Sequence, residues 1–391
     1  MSPSDTGRSE TRHDFAIVGG GLVGAATALC LSRIGASVAL FAPEVPADQR
    51  TSALMGPSVD FLRSHGLVDD PADLAVPLKR IRIIDATERL VRAPETLFDS
   101  AEAGLENFGW NFRNAGLLDS FNTQMQAESR LTIITGPVSG IDRAGSEWEL
   151  STSSEKLRAR MIVGADGRNS FVRKAAGIAV REHRFSQAAL VCDIRPERGL
   201  DATSTEFHYP HGPFTLVPGE GERAHLVWID RRETLDAARA GDLPRALFDK
   251  SMHLFGAIET LSNPVIFPLS TLVAIDLAQD GLVLVGEAAH AFPPIGAQGL
   301  NLGLRDVAEL VDIARNAIEK KEWPSAVTSA YARSRRDDVS RTSSLVDNLF
   351  RSLLSDFLPA QFLRAGGLWA LKLSPSLRQY AFGQGMGRKA S

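Results

Sequence analysis

The rhythm of apolar positions changes along the chain, and each rhythm points to an element. Phe15-Ala16-Ile17-Val18 is an unbroken apolar run, as in a strand buried on both faces of a parallel sheet. Gly19 to Gly21 open a helical stretch that reaches about Arg33, and Gly35 ends it. Ser37-Val38-Ala39-Leu40-Phe41 then reads as the next strand. Strand, helix and strand in this order make a βαβ start. A helix is predicted over 51–64. The alternation then breaks down. Residues 79–84 and the stretch 188–229 read as strands separated by Pro and Gly turns, including 205–209, 214–217 and 225–229. They predict an antiparallel sheet in a second domain. Between them, 117–127 reads as a helix, 156–163 as a strand and 282–285 as another buried strand. Leu300, Leu304, Val307, Leu310, Val311 and Ala314 keep helical spacing. The first domain is therefore expected to be discontinuous, over 14–78, 112–180 and 276–345. The second, over 79–111 and 181–275, is inserted into it, and 346–391 is expected to be a C-terminal helical region.

Composition narrows the function classes. A net charge of −4 carries no global basic footprint for nucleic acid. Cys30 and Cys192 cannot make a disulfide scaffold and lack metal-ligand spacing. They read as packing residues in a reducing compartment, and no metal site is expected. The first fourteen residues are polar, without the apolar core of a signal peptide. No run of about 18 uncharged apolar residues occurs, so no spanning helix is expected. Residues 351–391 carry six basic side chains and one acid, a local charge of +5 against −9 for the remainder.

Three motifs carry the chemistry. Gly19-x-Gly21-x-x-Gly24 sits between a predicted strand and a predicted helix. Glycine there allows a tight turn and close backbone approach, and the helix N-terminus offers N–H groups to a pyrophosphate. The acid that usually binds a ribose at the end of the second strand is missing. Ala42 stands there, and Glu44, past Pro43, reads as a solvated loop acid. Val163-Gly164-Ala165-Asp166-Gly167-Arg168-Asn169-Ser170 follows a strand and precedes a helix. Gly286-Glu287-Ala288-Ala289-His290 is followed by Pro293-Pro294-Ile295-Gly296-Ala297-Gln298-Gly299-Leu300-Asn301.

In this order and at these separations the motifs resemble the FAD-dependent aromatic hydroxylases of the para-hydroxybenzoate hydroxylase type. Within them the chain looks most similar to the ubiquinone-biosynthesis hydroxylases, over about residues 14–385. The resemblance implies an α/β fold: a Rossmann-like FAD-binding domain, an inserted mixed or antiparallel-sheet substrate domain and a C-terminal helical tail. It implies non-covalent FAD, NAD(P)H as transient reductant, and transfer of one oxygen atom from O₂ through a flavin C4a-hydroperoxide. The expected substrate is a lipophilic, polyprenylated phenolic precursor of ubiquinone. For the cofactor the resemblance implies Gly19, Gly21, Gly24, Arg50, Asn114, Asp166, Gly167, Gly286, Glu287, Gly296, Gln298, Gly299 and Asn301. Glu287 stands where the family usually has aspartate. A loop ending at a helix N-terminus suits the negative charge of a reduced flavin, and Asn301 in the first turn can add a hydrogen bond. For the substrate it implies Tyr209, His211, Phe214 and Pro294.

No catalytic residue is assigned. His208, Tyr209, His211, His225 and His290 are candidate bases, each read first as a structural residue. Arg333, Arg335 and Arg336 near Asp337 and Asp338 read as a solvated helix face. The alternatives are a hydroxylase of a small soluble aromatic, a halogenase-like relative and a non-catalytic FAD-binding protein; a protein electron donor stays open. Phe350, Leu353, Leu354, Phe357, Leu358, Phe362, Leu363, Leu368, Trp369 and Leu371 form a broken apolar series among the basic residues of the tail. It suggests a cytoplasmic protein that meets the inner face of the membrane, or quinone-biosynthesis partner proteins.

Overall fold

The computed structural model describes residues 12–87, 92–321 and 324–354. Strand β1 (Arg12–Val18) lies between β2 (Val38–Phe41) and the strand Lys156–Gly164, parallel to both. Leu131–Ile134 and Leu282–Leu284 extend this parallel core on either side. Ala278–Gln279 and the hairpin of Gly140–Ala144 and Glu147–Ser151 add antiparallel pairs, completing eight strands. Parallel strands need crossover helices, which cover both faces of the sheet. Phe15, Ala16, Ile17, Val38 and Leu40 are accordingly fully buried. Helix α1 (Leu22–Arg33) is buried continuously from Gly24 to Ser32. It packs on β1 and β2 and against the helices Asn114–Ala127 and Gln298–Lys320, so it needs no polar face.

The second sheet has nine strands. Their order is His290–Ala291, Val265–Ala274, Val180–Pro196, Ala224–Arg231, Gly212–Pro218, Thr203–Tyr209, Arg80–Asp85 and Thr96–Asp99, with Ile258–Thr260 beside Val180–Pro196. Every pair is antiparallel except Thr203–Tyr209 with Arg80–Asp85. Alternation divides its faces. Phe207, Phe214, Leu216, Leu226 and Trp228 form one core with Leu235, Leu243 and Leu247 of the helices Arg232–Ala240 and Leu243–Lys250. Ala189 and Ile229, on the other face, cluster with Leu269, Ile295 and Phe350.

A three-stranded antiparallel sheet joins Thr51–Met55, Gly109–Arg113 and Ala75–Leu78. The single helix expected over 51–64 is therefore corrected to a strand followed by the helix Gly56–Ser64. Pro57 explains the break, because proline suits a helix's first turn and is unfit for its interior. The helix Ser325–Leu354 runs unbroken past residue 346. Among the described residues no helix is long and apolar enough to cross a membrane.

Candidate active site

The three motifs meet at the C-terminal ends of three neighbouring strands of the parallel sheet, Arg12–Val18, Lys156–Gly164 and Leu282–Leu284. Gly19 has φ +117°, and a Cβ there would collide with the Ala165 carbonyl and lie 2.8 Å from the Asp166 amide nitrogen. Gly24 is pressed against the Gly19 carbonyl. Val23 is touched from two sides, since a Cβ on Gly286 or Gly303 would come within 3.1 or 2.9 Å of its methyl groups. These contacts place the glycine loop, the Asp166 turn and the Gly286 turn against one another. Gly21, Gly167, Gly296 and Gly299 differ: a Cβ on any of them would meet nothing within 4 Å. Gly21 is the N-cap of α1 and makes no side-chain cap, which leaves the helix amides to an outside acceptor.

Asp166 Oδ2 accepts the amides of Phe171 at 2.6 Å and Val172 at 3.0 Å, and its buried Oδ1 has no partner among the described residues. Arg173 donates to the Ala288 carbonyl at 2.7 Å and the Arg168 carbonyl at 2.8 Å, tying the second motif to the third. Burial lowers its guanidinium's proton affinity, opposed by the nearby Asp166. Glu287 is exposed, although Gly286, Ala288, Ala289 and His290 around it are buried. Facing it electrostatically is Arg50, which forms a two-pronged pair with Asp48 at 2.8 and 2.9 Å. Asn114 donates to the same carboxylate at 2.8 Å, and its buried Oδ1 has no partner among the described residues. Burial pushes the Asp48 carboxyl up, but hydrogen bonds from Arg50 and Asn114 outweigh it and hold it below the usual carboxylate range.

Asn301 is used within the protein. Its Oδ1 accepts the Met55 amide at 2.9 Å, and its Nδ2 donates to the carbonyls of Ala53 and Ala297. It clamps the strand Thr51–Met55 to the helix N-terminus. Gln298 donates to the Gly296 carbonyl at 3.0 Å. Glu44 is exposed and Ala42 packs against Gly20, so no acid stands at the end of β2.

On the second sheet two expected substrate residues lie against the helix-covered core. Phe214 is fully buried between Phe207 and Trp228, on the face covered by helices. Tyr209 packs against the same core, and its hydroxyl donates to the Lys250 carbonyl at 2.7 Å. Burial pushes its phenol up to about 12. His211 is half-buried in the turn between two strands, and Pro294 is exposed. The remaining candidate bases are paired with carboxylates: His208 with Glu206 at 2.6 Å, His225 with Asp193 at 2.7 Å, and His290 with Asp306 at 2.6 Å. Cys30 and Cys192 are free and buried, and burial pushes both thiols up to about 12.

The reading of Arg335 as solvated is overturned. It is 4% exposed and bonds Asp306 at 2.8 Å. Phe350 likewise leaves the apolar series proposed for the membrane, because it is buried against Phe185 with ring centroids 4.5 Å apart. The rest of that series lies on side chains outside the described residues. Asp48, Arg173, Asp306 and Arg335 were all missed as site residues. A signal existed for the last two. Leu302, Asp306 and Leu310 share a helix face, as do Val327, Tyr331, Arg335 and Val339, and a charge inside an apolar stripe calls for a buried partner.

Open glycines at a helix N-terminus, a left-handed turn beside an exposed carboxylate and two buried unpartnered oxygens fit FAD. Together with a parallel sheet joined to an antiparallel one, they define an FAD-dependent aromatic-ring monooxygenase. A family model described as FAD binding domain matches residues 12–342, and the chain belongs to this family. NAD(P)H is the reductant typical of it. The chain is 30% identical to the 3-demethoxyubiquinol 3-hydroxylase of Escherichia coli over 389 residues, covering 96% of this chain and 98% of that protein. It is 29% identical to the ubiquinone hydroxylase UbiL of Rhodospirillum rubrum, covering 98% and 91%. The crystal structure of p-nitrophenol 4-monooxygenase from Pseudomonas putida shares its fold, with a TM-score of 0.80 and 22% identity over 97% of this chain and 100% of that one.

Proposed function

We propose that this enzyme hydroxylates the aromatic ring of a polyprenylated phenol in ubiquinone biosynthesis. The observation that carries the reading is the face of the second sheet on the side of Ile295. Val191, Val227 and Thr215 are half-buried neighbours across three strands of it. The row continues to Val265, 46% exposed, and beside it Phe267 is 40% exposed at the sheet's edge region. Ile229, on the same face, clusters with Ile295 of the loop that follows the third motif. The apolar side chains of this row, more exposed with distance from the loop, would suit an isoprenoid tail, whose transfer out of water is favourable at about 0.8 kcal/mol per buried CH₂. The names of the two relatives support the same substrate class.

The division of labour follows. FAD, when bound, supplies the redox chemistry that lets O₂ deliver one oxygen atom to the ring. Gly21 and the first amides of α1 would hold its pyrophosphate, and Asp166, Glu287 and Asn114 would bind its polar groups. The stiff segment around Pro293, Pro294 and Ile295 would hold the ring system and keep water from the cleft. Residues 79–111 and 181–275 supply the substrate wall, and 14–78, 112–180 and 276–345 the cofactor frame. The basic tail, outside the described residues, would bring the enzyme to the lipid surface where such a substrate dissolves.

Deletion of the gene tests the reading. The quinone pool should then contain a precursor lacking one ring oxygen, identified by mass. An unchanged pool, with purified enzyme hydroxylating tail-less and tailed phenols at equal kcat/KM, would instead establish a small soluble aromatic as substrate.

A further inference from the structure

Behind the Gly286 turn lies a buried ionic cluster drawn from three elements. Asp306, on the helix Gln298–Lys320, is 1% exposed. Its Oδ2 accepts the Gly286 amide at 2.9 Å and His290 Nε2–H at 2.6 Å, and its Oδ1 accepts Arg335 Nε–H at 2.8 Å. Arg335, on the helix Ser325–Leu354, also bonds Asp338 at 2.6 Å, and Arg305 bonds the other oxygen of Asp338 at 3.1 Å. Tyr331 stands beside the cluster, its hydroxyl donating to the Leu284 carbonyl at 2.8 Å. Two carboxylates thus meet two guanidiniums. His290 belongs to the two-residue strand that pairs with Val273, so the cluster also reaches the second sheet.

We propose that Asp306, held by Arg335 and His290, is a positioning residue for the cofactor, acting through the Gly286 backbone. A buried ion cluster is a poor way to stabilise a core, because apolar residues of similar volume do as well or better. What this one provides is direction. Gly286 has φ +59° and presses against Val23, and its amide points at Asp306. That hydrogen bond holds the turn from behind, so the next residue, Glu287, projects outward on the side of Arg50. Arg335 fixes the carboxylate from the opposite oxygen. Without it, Asp306 can rotate toward other donors and the turn relaxes. The inference rests on FAD binding by this family and not on the identity of the phenol.

The test uses purified holoenzyme and three measurements: FAD affinity by flavin fluorescence, the visible circular dichroism of bound flavin, and unfolding temperature with and without FAD. Arg335→Met is expected to weaken FAD binding by about ten- to a hundredfold, by analogy with the loss when a metal ligand's hydrogen-bonded support is removed. It should alter the dichroism of the remaining bound flavin and shrink the rise in Tm that FAD confers. Arg335→Lys, which keeps the charge, should recover most of the affinity. Should Arg335→Met not fold, His290→Asn removes a donor to the oxygen that binds Gly286 and is read the same way. A lower Tm with unchanged FAD affinity, dichroism and FAD-linked rise in Tm would reduce the cluster to core packing and overturn the proposal.

Discussion

The two large sheets carry their chemistry in opposite ways. In the parallel sheet the proposed cofactor site is made of backbone: amides at Gly21, turns at Gly167 and Gly286, and a helix N-terminus at Gln298. Its strands are buried on both faces, so function collects at their ends. In the nine-stranded sheet the proposed substrate face is made of side chains, and one residue's shift in register would exchange Val227 and Ile229 for Trp228 and Asp230. A backbone site can be read from glycine spacing. A side-chain site depends on which face each strand turns inward, and neighbouring elements decide that.

The largest expected effect separates two kinds of glycine within the first region. Gly19→Val should cost several kcal/mol of stability, on the order of the sum of a strained φ and an overpacked contact. Gly21 has an ordinary φ of −74° and open space around its Cα. Gly21→Val should leave the unfolding midpoint of the apoprotein nearly unchanged and abolish flavin retention. Full flavin occupancy in Gly21→Val would remove this glycine from the pyrophosphate site.

In the second region Phe214→Ala should cost about 3–5 kcal/mol, as for other buried aromatics, while the folded fraction still binds FAD. A rise in KM without loss of stability would return Phe214 to the cleft. Next comes Glu287. If its carboxylate bonds a cofactor hydroxyl, Glu287→Leu should weaken FAD binding by about 1.5–3 kcal/mol, and Glu287→Asp should preserve or tighten it. Equal FAD affinities in wild type and Glu287→Leu would show that the side chain points elsewhere. Val227→Ala, on the half-buried cleft face, should cost about 1 kcal/mol of stability or less and raise KM for a tailed phenol more than for a tail-less one.

The smallest effect is a pH dependence. Burial lowers His225 below its ordinary value of 6.5, against the pull of Asp193. The unfolded chain therefore takes up this proton at higher pH than the folded one. Stability should fall as pH drops through the ordinary histidine range toward the lower folded value, and His225→Gln should flatten part of that slope in urea titrations at several pH values. An unchanged slope would assign the acid sensitivity to other groups.

The sequence by itself determined the βαβ start, the three motifs, their order and the cofactor class. Each of these rests on local requirements: a left-handed turn, a helix N-terminus or a strand buried on both faces leaves its mark within a few residues. Tertiary structure alone decided the rest. Ala53 and Met55 bond Asn301 from nearly 250 residues away, which gives Asn301 a clamping role that no local pattern announces, and part of an expected helix is a strand. Phe214 was legible as an aromatic on a strand, but helices packed on that face made it core. Arg335 carries a charge that looks solvated beside Arg333 and Arg336, and only the packing of two helices brings Asp306 within 2.8 Å of it. The physical reason is the same in each case: a side chain's role depends on what covers it, and the covering element lies far away in the chain.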